Sequence, residues 1–336
     1  MLALVTGAGG FLGTAVVRRL REAGWDVRGF SRRRYSHLDD LGVEQVRGDL
    51  ADAEAVAKAC RGVDIVFHVG AKAGVWGPRE EFYRANVLGT RNVLDACRRH
   101  GVGRLVYTSS PSVVFGGTDL EGVDESVPYP RRYRAHYPAT KAEAELLVRA
   151  AADGDLATVS LRPHLLWGPG DTQLIPGILA RAATGRLRRI GRENKLVDFT
   201  YIDNAAEAHV RAAEALKPGG PISGGVYFIA QGEPMPLWNF VERVLECAGA
   251  PPLRPGVVPT WLGLALGSLM EWAWRYLPLR REPPLTRFVV EELTTAHWFD
   301  ISAARRDLGY EPRVSMEEGF RRLADWFREV RRDRSR

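Results

Sequence analysis

Tyr137 and Lys141 stand four residues apart in YPATK, at the start of ATKAEAELLVRAA, whose spacing predicts a helix that carries both side chains on one face. Pro138 suits the first turn of that helix. A free phenol titrates near ~10 and is a poor acid at neutral pH, but an ammonium one helical turn away favours the phenolate, which predicts a lowered pKa and a working proton donor. Y-x-x-x-K also arises by chance. Here, however, lysines are only five (Lys58, Lys72, Lys141, Lys195 and Lys217) of 47 basic residues, so a lysine at this spacing is less casual. A carbonyl reacting beside this pair needs a hydroxyl donor. RLVYTSSPSVVF ends a predicted strand with Ser109, Ser110 and Ser112, at the strand end that faces a ligand crevice in a parallel sheet. Ser110 is the preferred donor, which makes Ser110, Tyr137 and Lys141 the candidate catalytic set. Turn capping accounts for one or two of these serines equally well.

A second chemistry lies in TGAGGFLG, which follows the first predicted strand and opens a helix. Gly7, Gly10 and Gly13, with Phe11 and Leu12 between them, have the spacing of a dinucleotide turn: room for a tight bend, close approach of backbone N–H groups to a pyrophosphate, and close helix packing. An enzyme that uses NAD places an acid about 20 residues further on to hold the ribose hydroxyls. This chain has Ser31 followed by Arg32, Arg33 and Arg34. A hydroxyl and guanidinium groups bind a 2′-phosphate that a carboxylate would repel, so the predicted cofactor is NADP(H), with Ser31 and Arg32 as contacts. A solvated basic loop is the alternative. Asp49 and Leu50, after the third strand, are expected at the adenine, Gly70 and Ala71, after the fourth, under the ribose, and Pro163, at the end of ATVSLRP, on the same cofactor. Asn86 either bonds the serine loop or caps local backbone. His164, just after Pro163, is expected near the nicotinamide, although most such histidines only pack.

Other chemistries find no support. The seven histidines form no H-E-x-x-H and no paired metal spacing, and there is no G-x-S-x-G elbow, so neither a metal nor a hydrolase is assigned. Net charge is +6, but the last sixteen residues hold seven Arg against three acids and account for +4 of it. A terminal charge run of this kind is usually solvated, and nucleic acid binding is not expected. Cys60, Cys97 and Cys247 lie far apart in sequence and suit a reducing compartment. The opening LALVTGAGG has no leader character, and the longest uncharged apolar stretch, Val257 to Met270, is shorter than the roughly 20 residues of a spanning helix. A cytoplasmic location without a membrane span is expected.

The elements that must position these residues follow from the pattern. LALVTG, DVRGF, VEQVRGD, DIVFHVG and RLVYTSS read as strands, with helical spacing over Phe11 to Glu22, Ala53 to Cys60 and Phe82 to His100. This alternation predicts an α/β fold with a doubly wound parallel sheet of the Rossmann kind. ATVSLRP and GVYFIAQ should return to the same sheet. Residues 1–167 are read as the dinucleotide-binding domain with a returning strand near 225–231. Residues 168–328 are read as a smaller, interleaved substrate lobe, and 329–336 as a basic tail. The block from Val257 to Leu277, with Trp261, Trp272 and Trp274, would line an apolar pocket or lid, lie in an interface, or pack as core.

Together these segments resemble the extended short-chain dehydrogenase/reductase family, through TGAGGFLG, GDL, FHVGA, the TSS serines, YPATK and RPHLLWGPGD. FTYIDNAAEAHV and HWFDISAARRDLGYEPRVSMEEGFRR are similar to its 3β-hydroxysteroid dehydrogenase branch. GAKAGVWG, YRANVLGTRNVLDACR and REPPLTRF are similar to the ketoreductases of bacterial long-chain olefin biosynthesis. The resemblance implies that Ser110 binds the substrate carbonyl oxygen, Tyr137 protonates it, and Lys141 holds the cofactor ribose. The implied reaction is hydride transfer from NADPH to the 3-oxo carbon of a lipid-like 2-alkyl-3-oxoalkanoic acid, in a homodimer that assembles with other olefin-pathway enzymes. Lys72, Trp76, Ser112 and His164 are the expected substrate contacts, with Lys72 pairing the carboxylate. The family's H-x-A-A strand end stands here as His68-Val69-Gly70-Ala71. Sterol or hydroxysteroid dehydrogenases, sugar epimerases and non-catalytic redox sensors remain rival readings. Sugar 4,6-dehydratases fit less well, because Pro111 and Ser112 stand where that family has an Asp-Glu pair.

Overall fold

The computed structural model describes residues 1–277 and 282–334. Seven strands, β1 (Leu2–Thr6), β2 (Asp26–Ser31), β3 (Glu44–Arg47), β4 (Ile65–His68), β5 (Arg104–Thr108), β6 (Ala157–Pro163) and β7 (Gly225–Ile229), form one parallel sheet in the order β7-β6-β5-β4-β1-β2-β3. Strand side chains alternate between two apolar cores, one on each face. Ala3, Val5, Ile65, Phe67 and Val106 enter one core, and Leu4, Val66, Leu105 and Tyr107 the other. Both faces must therefore be covered. Helices α1 (Phe11–Glu22), α2 (Ala53–Cys60), α3 (Gly89–His100), α4 (His136–Ala150) and α5 (Ile202–Ala215) do this, with α1 and α5 on the first core and α2 and α3 on the second. Chain order reverses at β1, since β2 and β3 lie to one side and β4 to the other. The C-terminal ends of β1 and β4 thus open the crevice where such sheets bind ligands.

The two lobes interleave more deeply than a boundary at residue 167 describes. After it, β7 and also α5 belong to the large sheet. Small buried residues of α5 (Ala205, Ala208 and Ala212) let it pack closely, and Arg19 of α1 meets Glu207 at 2.5 Å. Before it, Leu120–Val123 pairs with His297–Phe299 in a four-stranded sheet of the smaller lobe, together with Leu196–Val197 and Met235–Pro236. The predicted basic tail is not a separate segment: residues 329–334 continue the helix Met316–Arg334, and 335–336 lie outside the described residues. Among the described residues no helix is long and apolar enough to cross a membrane.

One buried ion pair joins α4 to the sheet. Arg162 of β6 meets both carboxylate oxygens of Glu145 at 3.0 and 2.6 Å, and the Tyr129 hydroxyl donates to the same carboxylate at 2.5 Å. Burial pushes the Glu145 pKa up, but the Arg162 hydrogen bonds and charge overcome this and hold it below the usual range. Removing the cation strands a buried charge. Arg162→Met is expected to cost about 3–5 kcal/mol, read as a lower denaturant midpoint in urea unfolding; an unchanged midpoint would show that the pair contributes nothing.

Candidate active site

The glycine turn runs from the end of β1 into α1. Gly7 has φ +68°, and a Cβ there would lie 2.7 Å from the Gly70 Cα; a Cβ on Gly13 would lie 2.1 Å from the Gly7 carbonyl oxygen. No side chain fits at either place, so the backbone at the end of β1 stays bare and close to that of β4. A buried polar chain holds the two strand ends in register. The Gly70 N–H donates to Thr6 Oγ1 at 3.0 Å, Thr6 Oγ1 meets His68 Nδ1 at 2.8 Å, and His68 Nε2 meets Thr90 Oγ1 at 3.0 Å. Burial, helped by the Lys141 charge, pushes His68 down to about 3, so it is a neutral structural link.

A continuous cleft of about 1790 Å³ opens over these strand ends. Single-ligand pockets span roughly 300–1,000 Å³, so there is room for a dinucleotide and a second molecule. Gly7, Gly10, Phe11, Leu12, Gly13, Ser31, Arg32, Asp49, Leu50, Gly70, Ala71 and Pro163 all line it, as do Ser110, Tyr137, Lys141, Lys72, Ser112 and His164. Trp76 is not among its lining residues. Of the three arginines after β2, Arg34 is paired with Asp39 at 2.8 Å and Arg33 lies 5.0 Å over the Tyr35 ring. Arg32 alone of the three faces the cleft and has no ion-pair partner among the described residues. The Asp49 carboxylate accepts the Ala51 N–H at 2.9 Å and so shapes its own turn.

The three candidate catalytic side chains come from two elements. Ser110 follows β5 and caps the short helical turn Pro111–Val113, its Oγ accepting the Ser112 N–H at 3.2 Å and lying 2.9 Å from Ser112 Oγ. Tyr137 and Lys141 share one face of α4, one turn apart. The Lys141 ammonium donates to the Thr108 carbonyl at 2.6 Å and sits 4.2 Å over the Tyr107 ring. This corrects the electrostatic expectation. Burial raises the Tyr137 pKa above its ordinary value, the Ser110 hydroxyl pulls it down, and Glu292 pushes it up. Burial also lowers Lys141 to about 7, against a smaller upward pull from Glu145. The cation is directed at a carbonyl and a ring, and both groups are desolvated toward their neutral forms.

Other expectations change as well. Asn86 sits in a wide π-helical turn, Tyr83–Leu88, ahead of α3. Its side chain accepts the Lys72 N–H at 2.7 Å and donates to the Lys72 carbonyl at 3.1 Å and to Thr140 Oγ1 at 3.0 Å. It therefore ties the loop after β4 to α4, and does not reach the serine loop. The Lys72 ammonium is paired with Glu81 at 2.8 Å and lies 5.2 Å from the centre of the Phe82 ring, so it is already matched. Two of the three tryptophans of the 257–277 block, Trp261 and Trp272, are neither core nor pocket wall. In helix α6 (Thr260–Tyr276), Gly263 and Gly267 are buried, Leu266 and Met270 line the cleft, and Trp261 and Trp272 are 70% and 59% exposed. The sequence reading missed Glu292, in helix α7 (Arg287–Thr294), and His297, whose Nδ1 meets His164 Nε2 at 2.7 Å. Both lie more than a hundred residues from the motif-bearing half, and no spacing pattern marks them. Among the described residues no cluster of His, Cys, Asp and Glu could hold a metal ion.

Comparison with known proteins identifies relatives over nearly the whole chain. The family model described as "3-beta hydroxysteroid dehydrogenase/isomerase family" matches residues 4–257. A 2-alkyl-3-oxoalkanoate reductase of Stenotrophomonas maltophilia (strain K279a) is 53% identical over 96% of this chain and 98% of its own. A protein of the same name from Shewanella oneidensis is 48% identical over 96% of this chain and 85% of its own. The solved structure of MoeE5 in complex with UDP-glucuronic acid and NAD is 28% identical, with a TM-score of 0.74, over 98% of this chain and 100% of that one. The turn that leaves the strand ends bare yields a direct test. Gly7→Ala, strained at φ +68° and pressed on Gly70, is expected to weaken binding of a nicotinamide dinucleotide by about tenfold or more in a fluorescence titration, while undiminished affinity would mean that the ligand lies elsewhere.

Proposed function

The chain belongs to the 3-beta hydroxysteroid dehydrogenase/isomerase family, and within it we propose a reductase that uses NADPH to convert a 2-alkyl-3-oxoalkanoic acid to the 3-hydroxy acid in olefin biosynthesis. That it is a ketoreductase of the extended short-chain dehydrogenase/reductase kind, with a nicotinamide cofactor, rests on its relatives and fold. The finer reading is supported by one observation above all: Ser110, Tyr137 and Lys141 line the same cleft as the glycine turn, at the crossing point of the sheet.

The residues present fit a dinucleotide. The bare Gly7–Gly13 backbone and the start of α1 would take its pyrophosphate, Ser31 and Arg32 a 2′-phosphate, and Lys141 the ribose next to the nicotinamide. When bound, the reduced nicotinamide supplies a hydride. Ser110 and Tyr137 donate hydrogen bonds to the substrate carbonyl oxygen, and Tyr137 gives up its proton as negative charge develops there. A buried phenol with a raised pKa remains protonated at neutral pH, which suits the reducing direction. The same resemblance suggests a cytoplasmic homodimer working beside other enzymes of the pathway.

NADPH oxidation over a panel of 3-oxo acids, 3-oxosteroids and keto sugars tests the reading. Turnover is expected with the 3-oxo acids, and turnover of steroids or sugars alone would replace it with a rival. Tyr137→Phe is expected to lower kcat by about 10² to 10⁴ while cofactor affinity stays within about threefold; near-normal turnover would reject the assignment. Arg32→Ala is expected to lower the NADPH-over-NADH ratio of kcat/KM by about tenfold, and a wild-type preference for NADH would remove the argument for the phosphate.

A further inference from the structure

Helix α6 turns its apolar side outward. Its inner side is made of small residues: a Cβ on Gly263 would lie 3.1 Å from the Ile190 side chain, and one on Gly267 would lie 2.9 Å from the Arg287 backbone N at the start of α7. Glu271 also faces inward and holds Arg287 at 2.7 Å. The outer side carries Trp261, Ala265, Leu269, Trp272 and Tyr276, at the i, i+4, i+8, i+11, i+15 spacing of one helix face. Leu269 and Tyr276 are 60% and 66% exposed, in line with the two tryptophans, so nothing among the described residues covers this row. Trp272 and Tyr276 rest on each other, their ring centres 5.7 Å apart. At a rise of 1.5 Å per residue the row is about 22 Å long. Large apolar side chains left in water along one line mark a contact surface.

Unmatched cations flank the row at both ends. Just before α6, Val257–Val258 pairs with Arg189–Ile190, and the Gly191 N–H donates to the Val258 carbonyl at 2.9 Å. The chain around this pair is rich in arginine. Arg181, Arg186, Arg188, Arg192 and Arg254 are all exposed, and none has a carboxylate partner among the described residues. Arg181 and Arg188 donate only to the carbonyls of Gly177 and Pro255, at 3.3 and 3.2 Å. The acid of the segment, Glu193, is taken by Lys195 at 2.8 Å. At the far end of the row Arg275 is exposed and likewise has no ion-pair partner among the described residues. Exposed arginines on other faces do hold acids, as Arg99 holds Glu54 at 2.8 Å and Arg321 holds Glu318 at 2.7 Å.

We propose that this face of the smaller lobe docks on an anionic lipid surface, with the outer row of α6 in the boundary between headgroups and acyl chains and the flanking arginines on the headgroup phosphates. Indole and phenol rings, apolar in body and polar at one tip, suit that boundary. An apolar helix face bordered by cations binds anionic lipid through both at once, each arginine adding about fivefold. A second copy of the chain fits less well, because a two-fold contact sets a patch against itself and would bring the same unmatched arginines together with no free acid to meet them. The face is also continuous with the cleft. Leu266 and Met270 of α6 line it, as do Arg181, Arg186 and Arg188, so the docked helix stands between lipid and site, and a lipid-like substrate reaches the cleft from the surface that dissolves it. The proposal goes beyond the reductase reading and is measured without turnover, so either can fail alone.

The test is co-sedimentation of the full-length protein with unilamellar vesicles, either of phosphatidylcholine alone or of phosphatidylcholine and phosphatidylglycerol in equal parts, at about 0.1 M salt. The wild type is expected to bind the mixed vesicles about tenfold or more tightly than the neutral ones. Trp261→Ser with Trp272→Ser, and separately Arg192→Gln with Arg254→Gln, are each expected to weaken binding to the mixed vesicles by about tenfold or more. Both double variants are expected to keep the wild-type urea midpoint and dinucleotide affinity, which shows an intact fold. A second measurement needs no substitution: lipids brominated in the acyl chains are expected to quench wild-type tryptophan fluorescence. Failure to bind either vesicle, equal binding to both, absence of quenching, or undiminished binding of the tryptophan variant would overturn the proposal. So would a wild-type dimer in sedimentation velocity that becomes monomeric in the tryptophan variant, since a second copy would then cover the face.

Discussion

The 2.6 Å hydrogen bond from the Lys141 ammonium to the Thr108 carbonyl fastens α4 to the C-terminal end of β5, and the candidate site depends on that contact. Thr108 is the last residue of its strand, and Ser110 follows two residues later. Tyr137 precedes Lys141 by one helical turn. Joining Lys141 to Thr108 therefore fixes the phenol and the serine hydroxyl relative to each other with little freedom left in either backbone. Neighbouring contacts hold the joint: His209 of α5 meets Thr108 Oγ1 at 2.7 Å, the Tyr107 ring lies under the ammonium, and Asn86 ties Thr140 to the loop after β4.

Burial sets the electrical character of this region. His68, His164, His209 and His297 are all pushed down, Lys141 is lowered to about 7, and Tyr137 and Glu292 are raised. Acids there are held toward their protonated forms and bases toward their neutral ones, Lys141 least completely, since about 7 leaves it partly ammonium at neutral pH. Such a site has proton donors ready at neutral pH and little fixed charge, so charge that develops on a substrate oxygen meets hydrogen-bond donors in a poorly screened environment. Arg162 and Glu145, a matched pair beneath α4, are the exception, and they face each other and not the cleft.

The parts of this arrangement that sequence carries are those set by local backbone rules. Glycines at a strand–helix turn, two side chains four apart on a helix, and apolar runs of strand length are short-range patterns, and all seven strands of the large sheet fall on expected segments. What sequence did not carry depends on distant partners. The pKa of Tyr137 was misjudged because i,i+4 spacing says which face Lys141 is on, not that Thr108 and Tyr107 take its cation. Lys72 lines the cleft as expected, but its ion pair with Glu81, nine residues away, has no sequence pattern to mark it. The tryptophans of α6 look like core by composition, but Gly263 and Gly267 turn the smaller face of the helix inward and leave Trp261 and Trp272 outside. Glu292 comes to line the cleft only through tertiary packing, from the far end of the chain.

The account stands or falls on where the reacting oxygen lies, and a crystal structure of the enzyme with NADP⁺ and a 2-alkyl-3-hydroxyalkanoic acid measures that directly. The account predicts the hydroxyl oxygen within hydrogen-bond reach, roughly 2.6–3.2 Å, of both Tyr137 Oη and Ser110 Oγ. A hydroxyl that contacts neither group, with the phenol turned from the nicotinamide and shielded by other side chains, would contradict it.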